Sequence, residues 1–93
     1  MTVVATKSAG EVKDFSINWT PDLGTDTISS STFAISLPGP SITQSTNTTT
    51  QTTVWISGGV PGTFYQVTNT IVTAGGRTLT KTFTLEVLAT NNL

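Results

Sequence analysis

The chain contains no cysteine and no histidine. The first absence excludes disulfides, zinc-thiolate sites and thiol nucleophiles, so packing and sheet hydrogen bonds must hold the fold together. The second removes the side chain most used for acid–base work near neutral pH, which is also the commonest transition-metal ligand. Charge is scarce as well. Lys7, Lys13, Arg77 and Lys81 stand against Glu11, Asp14, Asp22, Asp26 and Glu86, for a net charge of -1. Four dispersed cations build no basic face, so no nucleic-acid partner is expected. No apolar run approaches the roughly 20 residues of a membrane-spanning helix, and the N-terminus lacks the charged and apolar regions of a signal peptide. A soluble protein with no membrane partner is expected.

What the chain has in quantity is hydroxyl. Threonine supplies roughly a quarter of the residues and serine about a tenth, far above ordinary usage. Threonine suits strands through its β-branch, and its hydroxyl keeps an outer sheet face wet without charge. At 93 residues the chain reads as one domain, 1–93, with an N-terminal arm at 1–10, either a short edge strand or a segment that docks on a partner, and a short tail at 89–93.

The stretch "IVTAGGRTLTKTF" decides the fold class. Paired glycines beside an arginine cradle a phosphate only when a helix follows, and here a strand follows. Leu79, Phe83, Leu85 and Val87 alternate with Thr78, Thr80, Thr82, Thr84 and Glu86. Before the glycines, Tyr65, Val67, Asn69 and Ile71 form a second inward series. Opposed residues must share a face. A three-residue loop, Ala74-Gly75-Gly76, satisfies this by setting Ile71 against Leu79, Val67 against Phe83 and Tyr65 against Leu85. It also puts a glycine at the left-handed bulge position.

The rest of the chain reads as short extended segments. Glu11 to Thr20 alternates cleanly from Phe15 through Ile17 to Trp19. Pro21 to Asp26 reads as a loop, and Thr27 to Ser36 as a strand with Phe33 and Ile35 as core candidates. "LPGPSIT" turns into a short strand near Ile42. The polar tract Gln44 to Thr53 reads as a flexible loop and then the start of a strand. Val54-Trp55-Ile56 is apolar on both parities, as in a central strand, so Trp19 and Trp55 are the expected large core side chains. No segment shows a 3.6 period. Six or seven antiparallel strands with turns about every ten residues predict an all-β, immunoglobulin-like Greek-key sandwich with essentially no helix. Tyr65 sits where a tyrosine corner would form.

Candidate sites are few. Asp22 and Asp26 could offer oxygen ligands to calcium, but no further acid is near in sequence, and a turn role for Asp26 is the alternative. Asn18-Trp19-Thr20 and Asn47-Thr48-Thr49 match the N-glycosylation pattern, which a threonine-rich chain also produces by accident. Serine and threonine abound without a His or Cys base to activate them, so no catalytic, cofactor-binding or metal-binding residue is assigned. The candidate partner-binding residues are Arg77 and Lys81 on the hairpin, Asn69 where it interrupts the inward series, and Val3 and Val4 in the N-terminal arm. A neutral strand edge lacks the charges that usually block pairing with another chain.

"DTISSSTF" followed by "TTVWISGGVPGTFYQVTNTIVTAGGRTLTKTFTLEV" resembles the fiber-tail adaptor proteins of tailed bacteriophages and prophages. The likeness runs from about Asp14 to Val87. It implies an immunoglobulin-like sandwich without catalysis, in which Trp19, Asp26, Ile28, Trp55, Gly58, Gly59, Tyr65, Gly75, Gly76 and Arg77 are mostly framework. It implies a virion protein, made in the bacterial cytoplasm, that joins tail tube, connector or portal to fibers or spikes, as a homo-oligomer or ring. Two other readings stand beside it: a capsid decoration protein bound to the major capsid protein, and a carbohydrate-binding or adhesive module.

Overall fold

The hairpin is built as its parities require. In the computed structural model, which describes residues 4–89, strand β6 (Phe64–Thr73) pairs antiparallel with β7 (Thr78–Leu88). The register sets Tyr65 opposite Leu85, Val67 opposite Phe83 and Ile71 opposite Leu79. Gly76 takes a φ of 88° at the tip, a conformation that side chains with a Cβ rarely adopt.

Six further elements complete the chain: β1 (Val4–Ser8), β2 (Val12–Asn18), the single turn α1 (Thr20–Leu23), β3 (Ile28–Ile35), β4 (Pro40–Asn47) and β5 (Gln51–Gly58). They form a four-stranded sheet, ordered β1-β7-β6-β3, and a three-stranded sheet, ordered β2-β5-β4. The pairing of β1 with β7 is parallel, and the other strand pairs are antiparallel. With 66% of the described residues in strands and 5% in helix, the protein is an all-β sandwich.

The core lies between the sheets. Val54 and Ile56 of β5 pack against Tyr65, Val67, Phe83, Leu85 and Val87 of the long hairpin. Burying each such side chain is worth about 1.5–3 kcal/mol before the entropy of ordering it. A second cluster at one end holds Trp19, Leu23, Ile28 and Ile71. Tyr65 anchors the other end by accepting the Val60 N–H on its phenolic oxygen at 2.9 Å.

Three expectations need correction, and an open one is decided. Trp55 is not a core residue. Its neighbours Val54 and Ile56 are both fully buried, so alternation turns Trp55 outward, beside Asp14 and Gln44 on the outer face of the smaller sheet. The first half of the polar tract, Gln44 to Asn47, is no loop either, whereas its second half does start a strand. β4 runs to Asn47 and turns at Thr48–Thr50 into β5, because the ladder with β5 satisfies its backbone whether or not its side chains are buried. Pro21 to Leu23 is helical rather than a loop, since proline in the first turn is pre-set for a helix. Of the two readings of the N-terminal segment, Val4–Ser8 takes the first and forms the edge strand β1, with Lys7 only 1% exposed. The Lys7 ammonium donates to the Ser8 and Gly58 carbonyls at 2.8 and 2.7 Å, and burial pushes its pKa below the ordinary value.

Candidate partner-binding surface

One end of the sandwich is organised around Trp19. The Asn18 carboxamide oxygen accepts the Thr20 N–H, and the Trp19 carbonyl accepts the N–H groups of Asp22 and Leu23, closing one helical turn that Gly24 ends at a φ of 63°. This turn folds the indole inward. Its Nε1–H donates to Asn69 Oδ1 at 3.0 Å and to Thr52 Oγ1 at 3.2 Å. The Thr52 hydroxyl donates to the same Oδ1 at 2.7 Å, while Asn69 Nδ2 donates to Ser31 Oγ and the Thr32 carbonyl. β2, β5, β6 and β3 are thereby joined across both sheets. Among the described residues no buried side-chain polar atom lacks a partner.

A charged shell covers this end. Arg77 Nε lies 3.2 Å from Asp26 Oδ2, and Arg77 Nη2 donates to the Leu23 carbonyl at 3.0 Å. Asp26 Oδ1 accepts the N–H groups of Thr27 at 2.9 Å and Gly75 at 3.0 Å. A Cβ at Gly75 would stand 2.8 Å from Asp26 Oδ2, so a larger residue there forces the carboxylate to shift. The Thr73 hydroxyl first, then these N–H groups and Arg77, hold the Asp26 pKa down at about 2. Lys81 donates to the Asp22 carboxylate and lies 4.8 Å above the Trp19 ring. Each cation meets a carboxylate, so the end is locally neutral, and both aspartates weighed as calcium ligands are occupied by it.

Three of the candidate binding residues converge here. Arg77 and Lys81 clamp the shell from outside, and Asn69 lies beneath it. Asn69 is fully buried, which corrects its assignment to a contact surface: it interrupts the apolar series because it satisfies the Trp19 indole. Val4 lies elsewhere, 55% exposed on β1 opposite Thr84. Val3 falls outside the described residues.

Sequence reading missed a groove on the β1 and β2 side, where the sheets part. Ala5, Phe15, Ile17 and Phe83 line it, with Asp14 and Lys81. The Phe15 and Phe83 rings meet across the sheets at a centroid distance of 5.7 Å. The signal was present in Phe15 and Ile17, inward residues on a strand that turns out to be an edge.

Fold and surface together define a structural β-sandwich module, whose distinctive surfaces are strand edges, an apolar groove and a self-neutralised charged end. The chain belongs to the family described as podophage GP4 fiber-tail adaptor protein gp77, whose model matches residues 7–86. No curated protein matches it. The matched span holds the hairpin as far as Glu86, the Trp19 network and both ion pairs.

Proposed function

We propose that this protein is a non-enzymatic component of a tailed-bacteriophage virion that joins the tail to its fibers. The family match over residues 7–86 carries this reading. Its partners are other virion proteins: the tail tube, connector or portal on one side, and a fiber or spike on the other. It works as one subunit of a homo-oligomer or ring.

The framework suits a joint. Two sheets are tied through Trp19, Asn69 and Thr52 at one end, and Tyr65 fixes the corner at the other. An immunoglobulin-like Greek key is the arrangement that the strand orders β1-β7-β6-β3 and β2-β5-β4, with a parallel first strand, favour. Electron cryomicroscopy of particles carrying this chain with a bulky tag tests the placement. Extra density between tail and fiber base is expected, and density spread over the capsid shell would contradict it.

A further inference from the structure

β7 has a guarded half and an open half. The Thr73 N–H donates to the Arg77 carbonyl, and Val87 exchanges bonds with Thr63 and Gly62, so odd-numbered β7 residues bond toward β6. The Ala9 N–H donates to the Leu88 carbonyl, so even-numbered ones bond toward β1. β1 pairs only with Thr84 to Leu88, whereas β6 pairs from Thr78 onward. Thr78, Thr80 and Thr82 therefore direct their N–H and C=O groups outward, with no strand partner among the described residues. The outer edge of β1 is treated differently. Lys13 Nζ donates to the Thr6 carbonyl at 3.0 Å, and Glu11 binds both main-chain groups of Ser8, accepting its N–H at 2.7 Å and donating to its carbonyl at 3.0 Å.

Lys13 and Glu11 thus cap one stretch of this side, and among the described residues the next has no partner. The bare stretch borders the apolar groove of Phe15, Ile17, Phe83 and Ala5. An inward-pointing lysine often guards an open edge, but Lys81 is drawn to Asp22 and over the Trp19 ring. The opposite side, between β3 and β4, is crossed by the chain's own connection, Ser36 to Gly39.

We propose that an extended segment of a partner virion protein adds as a strand to the Thr78–Thr82 edge of β7, beside β1, and places alternate apolar side chains in the groove. The spacing of these outward groups specifies a strand, because three residues at period two, over about 13 Å, match the ladder of a five-residue segment. The groove specifies apolar residues at every second position. The threonines on the outer face specify uncharged polar residues between them. This inference rests on the adaptor reading and identifies the kind of contact that one of its joints makes.

The test is Thr80→Pro. Its N–H points outward, so proline removes no bond to β6 but denies a donor to the incoming strand. Phage carrying this variant are expected to assemble particles with at least about tenfold less fiber, while the isolated variant melts close to wild type. Wild-type fiber content would overturn the inference. Thr80→Cys, the sole cysteine, gives a second readout by cross-linking in particles. A bond to an alternating apolar segment of another virion protein supports the inference. A bond to a second copy, to this chain's own N-terminal residues, or to nothing overturns it. If the wild-type chain is missing from particles, the adaptor reading itself fails, and this inference falls with it.

Discussion

Trp19 and Asn69 bind each other across the interior at 3.0 Å, the indole N–H donating to the amide oxygen, and neither side chain is more than 1% exposed. Asn69 brings two donors and an acceptor into a site that strand alternation reserves for apolar residues. It is tolerated because Trp19, Thr52, Ser31 and Thr32 take up that capacity.

Asn69→Leu keeps the branched outline and removes the hydrogen-bonding groups. It leaves the Thr52 hydroxyl proton without an acceptor, Ser31 and the Thr32 carbonyl without the amide donor, and the indole N–H with Thr52 Oγ1 alone, which costs about 3 kcal/mol. A fall in Tm of roughly 15 °C is expected by calorimetry, and an unchanged Tm would show that the network adds nothing.

How much of this was legible depended on the sequence distance between partners. The hairpin register followed from alternation in adjacent strands, and Tyr65 stood where its corner formed. Asn69 was misread because its satisfying groups come from β2, β3 and β5, which no local pattern brings together. Lys7 was invisible for the same reason: its acceptor on Gly58 lies on the other sheet. Trp55 was assigned inward on size, although the parity of Val54 and Ile56 already pointed it outward. β4 was read only as a short strand near Ile42, its second half passing for a loop, because burial is what makes strands periodic, and its side chains are nearly all exposed.

The Asp26 carboxylate makes stability fall in acid. Its folded pKa is about 2, below the ordinary 3.8. A depressed carboxylate contributes stability that is fully present above the unfolded pKa and is lost as pH falls through the folded one, a window of roughly pH 4 to 2. Wild type should lose more stability across that window than Asp26→Asn in chemical denaturation. Equal losses would contradict the assignment.

The two tip glycines fail for different reasons. Gly76→Ala meets only backbone strain at a φ of 88° and costs about 1 kcal/mol, leaving the acid dependence in place. Gly75→Ala forces a Cβ against Asp26 Oδ2 and should weaken the acid dependence too. Acid titration of both variants separates them; identical profiles would remove the steric role given to Gly75.

Tyr65→Phe strands the Val60 N–H, at a cost of about 1–2 kcal/mol. Phe64→Ser, next in sequence but 55% exposed on the outer face, should change stability by less than about 0.5 kcal/mol. Urea denaturation of the pair should show that order, and the reverse order would contradict the facing assigned to β6.

Quantitative mass spectrometry of purified virions, comparing this chain with portal and major capsid protein, tests the adaptor account most directly. The account predicts a low, symmetry-matched count, about a dozen copies or a small multiple of six per particle. A count in the hundreds would make it a shell protein instead, and absence from the particle would contradict any structural role in the virion.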